Sequence, residues 1–272
     1  LSLKAKSNLD GTIKISSENI LERVNTPKDT LLYSKAMESA ITLVKNNSRS
    51  LPLLKDKKYL HVSFGNESSH LFNKLKKYVD VDSYNSKDYD PLFEKTEYDG
   101  IIISYHGSSS SPYSSNIIPK NISEIIEKIG ENNNVILSLF LNPYSLNSFE
   151  KIDNFNSIVV GYQNNMISQE IMADLLTGIR SFKGKLPVSN NFYPVNHGLS
   201  IDKNNTLGYS RPAYEGFDQK KLSYLDSIAI SAIDSMMAPG IQMLVSKKGK
   251  IIYNKSFGYH TYKKLNKLEN DH

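Results

Sequence analysis

Six histidines, His61, His70, His106, His197, His260 and His272, are scattered through the chain, and no two are spaced as metal ligands. Cysteine is absent, which excludes disulfides, thiolate nucleophiles and zinc–thiolate sites. His61 lies inside an apolar run and reads as a structural residue. His106 directly follows the run Gly100–Tyr105, where a buried strand ends and ligands bind in sheets of parallel strands. A carboxylate pair for hydrolysis must face each other across the bond to be cut. Of the candidates, Asp99 precedes its strand and stands at the wrong end, while Glu170 and Asp174 share one helix face and read as solvating it. No G-x-S-x-G elbow is present, and Ser108–Ser111 reads as a solvated loop. No Ser-x-x-Lys follows the C-terminal hairpin, and no glycine-rich phosphate loop follows a strand.

The elements around these residues alternate between two patterns. Tyr59–Phe64, Gly100–Tyr105, Val135–Phe140 and Ser157–Gly161 are continuous apolar runs, with a shorter strand at Asp80–Tyr84. Ser69–Tyr78, Ile118–Gly130 and Ser168–Leu176 have helical spacing, the last closed by Thr177-Gly178. Asp29–Lys45 is predicted as one helix, with Leu32, Ala36, Ala40, Ile41, Leu43 and Val44 on its buried stripe and Lys35 and Glu38 outside. Buried runs separated by helices predict an α/β fold, a three-layer sandwich with a mostly parallel sheet, over residues 29–189. Its strand ends are Gly65-Asn66, Tyr105–Ser111, Asn142-Pro143 and Tyr162–Asn165. Residues 1–28 are assigned to a linker, and 190–211, rich in Asn, Pro, Gly and Ser, to a second one. In 212–272 a helix over Asp218–Met236 is expected to bury Leu222, Leu225, Ile228, Ala229 and Ala232. The two apolar runs that follow, joined by a basic turn at Lys247–Gly249, predict an antiparallel hairpin. A hairpin alone is marginal in water, so this segment reads as the unfinished start of a domain and the chain as a fragment.

Composition narrows the function classes. The formal net charge is +5, almost all of it Lys spread along the chain; Arg occurs only at Arg23, Arg49, Arg180 and Arg211. That distribution argues for a solvated surface over a nucleic-acid stripe. No apolar run reaches the roughly 20 residues of a membrane span, and the first residues have no signal-peptide character. No cofactor is expected, and neither nucleic acid nor a membrane span is expected among its partners.

Several motifs resemble known families. Ala36–Asn46 followed by Leu51-Pro52-Leu53 resembles the opening of the second domain of glycoside hydrolase family 3. Ala173–Gly178 and then Gly184-Lys185-Leu186-Pro187-Val188 are similar to that domain's closing signature. Gly161-Tyr162-Gln163-Asn164-Asn165 resembles the segment before the last helix in the bacterial β-N-acetylglucosaminidase branch, and Leu3-Lys4-Ala5-Lys6 the end of the preceding barrel. The tail, Pro239–Val245 with Gly249–Tyr253 and Ser256–Tyr259, resembles the first strands of class C β-lactamase-like serine hydrolases, and fusions of the two families occur in bacteria. The resemblance implies an accessory domain of a retaining β-N-acetylglucosaminidase acting on peptidoglycan or chitin-type glycans, associated with the cell envelope or periplasm. It implies catalytic groups on a barrel outside this sequence, with the glycan as that barrel's substrate, and no catalytic residue here. His106, Gln163 and Asn164 are the candidate substrate contacts at the rim. A glycan-binding or scaffold module without chemistry, and a parent serine hydrolase or esterase, are the alternatives.

Overall fold

The computed structural model describes residues 18–66, 68–84, 89–108 and 117–270, apart from the side chains of Glu22 and Ser48. The motif Leu3–Lys6, the serines Ser109–Ser111 and His272 lie outside the described residues. In chain order the elements are α1 Ile20–Val24, α2 Pro27–Ala40, β1 Thr42–Asn46, β2 Lys58–Gly65, α3 His70–Leu75, β3 Asp80–Tyr84, β4 Gly100–His106 and α4 Lys120–Asn132. They continue with β5 Val135–Phe140, β6 Ser157–Val160, α5 Met166–Leu176, β7 Gly208–Tyr209, α6 Gln219–Leu222, α7 Tyr224–Asp234, β8 Gly240–Lys247 and β9 Lys250–Gly258.

Six strands form one sheet in the order β1-β6-β5-β4-β2-β3, parallel throughout except for the antiparallel edge strand β1. Alternation along each strand sends side chains to opposite faces. Tyr59, Ile102, Ile136, Phe140 and Val159 share one core with Leu71 and Leu75 of α3 and Ile171, Met172 and Leu175 of α5. Val62, Ile101, Ile103, Leu137 and Leu139 share the other with Ile126 and Ile129 of α4. Helices therefore cover both faces, which is why the central strands carry apolar residues at nearly every position.

The first expected helix is shorter than its apolar pattern. Thr26 and Asp29 form a capping box around Pro27, which starts α2. The helix stops at Ala40, and Thr42–Lys45 continue as a strand buried at each of those positions. A strand covered on both faces shows the same apolar density as a helix stripe, so periodicity could not separate them. The buried residues of α2 are Ser34 and Met37, whereas Leu32 is 69% exposed.

Residues 190–211 are hydrogen-bonded to the sandwich. The Leu199 amide donates to the Leu43 carbonyl at 2.7 Å, Phe182 pairs with Ile201, and Gly208–Tyr209 becomes β7. A three-stranded sheet, β7-β9-β8, follows, its β8–β9 hairpin antiparallel as expected. The helix expected over Asp218–Met236 is two, α6 and α7, and of its predicted face only Ala229 is buried. Ile228, Met236 and Met237 are exposed. Among the described residues no helix is long and apolar enough to cross a membrane.

Candidate functional site

The carboxyl ends of β4 and β6 meet at one polar cluster. After Val160 the chain turns through Gly161 and Tyr162, and Tyr162 takes a left-handed φ of 61°, a costly conformation for a bulky side chain. Its hydroxyl is held 2.8 Å from Thr42 Oγ1. That kink delivers Gln163, Asn164 and Asn165 to the edge. Asn165 then caps α5, its Oδ1 accepting the Ser168 amide at 3.0 Å. On the neighbouring strand end, Gly65 has φ 82° and lies so close to the His106 carbonyl that a side chain there would collide with it.

Of the three predicted rim residues, the structure joins His106 and Asn164 directly and places Gln163 beside them. His106 Nδ1 is 3.0 Å from Asn164 Oδ1. Asn164 Nδ2 donates to the Gly107 carbonyl at 2.9 Å, and Gln169 Nε2 donates to Asn164 Oδ1 at 2.8 Å. These bonds fix the amide orientation, so His106 Nδ1 carries a proton and Nε2 is the acceptor. Nε2 is 2.9 Å from Ser104 Oγ, which must donate, and Ser104 Oγ in turn accepts from His61 Nε2 at 2.8 Å. The result is a directed chain from His61 through Ser104 and His106 to Asn164, with both imidazoles neutral. Burial lowers the His61 pKa to about 3, with His106 contributing, and burial lowers that of His106 against the bond from Asn164.

A serine between two imidazoles has the composition of a nucleophile with its base. Access is what it lacks: Ser104 has no exposed surface, and His61 and His106 are 3% and 1% exposed. The strand-end histidine is thus a buried link between β4 and the β6 turn, and of the three rim candidates Gln163 is the exposed one. Gln163 is exposed, and its Oε1 accepts from Tyr33 Oη and from Asn165 Nδ2, the latter at 3.1 Å. Asn165 Nδ2 also donates to Tyr33 Oη at 2.7 Å. Its carbonyl is held from two sides, while its Nε2 has no partner among the described residues. Tyr33 of α2, half-buried against the core beside α5, was not legible as a rim residue.

The carboxylates behave differently from expectation. Asp99 pairs with Lys57 at 2.6 Å on the surface, at the amino end of β4. Glu170 and Asp174 do not solvate the helix: they are 7% and 1% exposed. Glu170 accepts both Nε and a terminal nitrogen of Arg211, at 2.8 and 2.7 Å. Asp174 meets Lys74 at 3.3 Å, Arg180 Nε at 3.0 Å and Tyr78 Oη at 3.0 Å. Arg180 also binds Glu38 and, at 3.4 Å, Glu215, which holds Lys250 at 3.2 Å. These groups tie the small sheet to the sandwich. Among the described residues no group of three or more His, Cys, Asp or Glu could hold a metal ion.

The fold defined here is an α/β sandwich, and solved structures similar to it include glycoside hydrolase family 3 enzymes. One is a family 3 β-N-acetylglucosaminidase from Paenibacillus sp. str. FPU-7, with 18% identity and a TM-score of 0.49, covering 73% of this chain and 38% of that one. A β-glucosidase from Listeria innocua in complex with isofagomine has 13% identity and a TM-score of 0.46, covering 64% and 29%. A family 3 exo-β-xylosidase in complex with a xylobiose aziridine probe has 20% identity and a TM-score of 0.46, covering 60% and 25%. The chain thus spans between a quarter and two fifths of these neighbours' lengths. No protein-family profile and no curated protein matches it in sequence.

Proposed function

We propose that this chain is the accessory α/β domain of a family 3 glycoside hydrolase of the β-N-acetylglucosaminidase type. In this reading a parent protein carries the bond-breaking groups on a barrel outside this sequence, and this domain lends its strand-end rim to the sugar site. The observation that carries it is the state of Gln163: an exposed amide with its carbonyl clamped by Tyr33 and Asn165 and its Nε2 without a partner among the described residues. Gln163, Asn164, Asn165 and Tyr33 are all uncharged. A neutral sugar presents hydroxyl and acetamide groups that both donate and accept, and preorganised amides and a phenol match that chemistry without a charge to desolvate.

The positions of the resembling motifs support the same reading. Leu51 and Leu53 sit in the core beside α5, Leu186 in the core beside α4, and Gly184 is packed against the Ala40 and Ile41 carbonyls. The hairpin β8–β9 with α7, where Ile228 and, just past the helix, Met236 and Met237 are exposed, supports the further reading that residues 212–272 begin a serine-hydrolase-like domain.

The test is a nuclear magnetic resonance titration of the labelled chain with N,N′-diacetylchitobiose. Saturable shifts centred on the Gln163 and Asn165 side-chain amides, lost in Gln163→Ala, are expected. Shifts centred elsewhere, or unchanged in that variant, would overturn the rim assignment.

A further inference from the structure

A pocket of about 480 Å³ lies at the seam between the sandwich and the small sheet. Three separate stretches of chain bring cations to it: Lys35 from α2, Lys183 and Lys203 from the segment after α5, and Lys247, Lys248 and Lys250 from the β8–β9 turn. Arg180 makes a seventh cation, against two lining carboxylates, Glu38 and Glu215. The lining therefore carries a net charge of +5, equal to the formal net charge of the whole chain. Both carboxylates are already engaged by Arg180, and Glu215 by Lys250 as well. Lys35, Lys183, Lys203 and Lys248 have no carboxylate partner among the described residues, though the surface elsewhere pairs Lys57, Lys58, Lys151 and Lys255 with nearby acids.

Like charges gathered on the walls of a concavity repel one another and focus a positive potential inward. Sequence spacing hid this: residues 35, 183, 203 and 247–250 are far apart along the chain, and the fold gathers them where Arg180 links Glu38 of α2 to Glu215, the partner of Lys250. Lys250 registers the crowding, since burial and then the Arg180 charge depress its pKa. We infer that this pocket is a binding site for a small polyanion bearing at least two phosphate groups, separate from the Gln163 rim. More than one phosphate is required because Lys35, Lys183, Lys203 and Lys248 bring four positive charges without a carboxylate partner among the described residues, and one phosphate carries a charge of only about −2. Lysine is suited to phosphate as a point charge and makes no demand for planar, bidentate geometry.

Calorimetric titration of the full chain with pyrophosphate at physiological ionic strength tests this. One saturable site is expected, with inorganic phosphate about tenfold weaker or more. Lys35→Glu/Lys203→Glu alters two exposed side chains that have no hydrogen-bond partner among the described residues and should lower pyrophosphate affinity about tenfold or more. Lys55→Glu/Lys221→Glu makes the same change in net charge away from the pocket and should shift affinity by no more than about twofold. Equal losses in the two variants, equal affinity for phosphate and pyrophosphate, or no saturable binding would each overturn the site.

Discussion

His106 Nδ1 stands 3.0 Å from Asn164 Oδ1, and this bond joins the end of β4 to the kinked turn after β6. Asn164 also serves Gln169 and the Gly107 carbonyl, so one side chain ties two strand ends to the first turns of α5. Gln163, the residue before it, has the opposite character: exposed, clamped at its carbonyl and with no partner for its Nε2 among the described residues.

The two neighbours should therefore respond differently to truncation. Asn164→Ala leaves the His106 and Gln169 donors unpaired in a dry environment and should cost about 3 kcal/mol of stability in urea denaturation. Gln163→Ala should change stability by no more than about 0.5 kcal/mol and act on sugar binding alone.

The buried imidazoles set a pH dependence. His61 and His106 are neutral in the folded chain, with pKa values below the ordinary histidine range. Unfolded chains bind those protons near pH 6.5, and the folded chain does not until far lower pH. Stability is thus fully present above about pH 6.5 and declines as pH falls toward the folded value of about 3 for His61. The decline should approach about 1.4 kcal/mol per pH unit for each histidine. Thermal melts of the chain and of His61→Phe across that window measure it; the variant should show a shallower slope.

Asp174 holds Lys74, Tyr78 and Arg180 in a region closed to water. Asp174→Leu leaves buried Lys74 without a carboxylate partner among the described residues, takes one of three carboxylates from Arg180, and should cost about 3–5 kcal/mol in chemical denaturation. Glu131→Ala, which breaks an exposed pair with Lys151, should leave the transition where it was.

Gly184 is packed against the carbonyls of Ala40 and Ile41, where α2 gives way to β1. Gly184→Ala forces the backbone of that junction apart and should lower stability by about 1–3 kcal/mol, read as a fall in melting temperature.

Much of this architecture was legible in the residues. Gly100–Tyr105 and Val135–Phe140 are apolar at successive positions because helices cover both faces of the sheet, and the structure has strands there. Thr42–Asn46 was not legible, because its apolar residues continue the helical stripe of α2 in register. The polar groups were legible only by type. Placing His106 and Asn164 at strand ends follows from the pattern, but their mutual bond depends on how β4 and β6 lie across β5. Ser104 and His61 looked apolar by context, and nothing local marks them as partners across β2 and β4. Glu170 and Asp174 show the limit most clearly: charged residues four apart on a helix read as a wet face, and the cations that bury them, Arg211, Lys74 and Arg180, arrive from elsewhere in the chain.

The account turns on Ser104 being a structural link sealed beneath the sheet edge, while any sugar is held at the rim without being cut. The purified chain should release no chromophore from 4-nitrophenyl N-acetyl-β-D-glucosaminide above the buffer rate. Turnover that disappears in Ser104→Ala would contradict it, since the buried His61–Ser104–His106 chain would then be a working nucleophile.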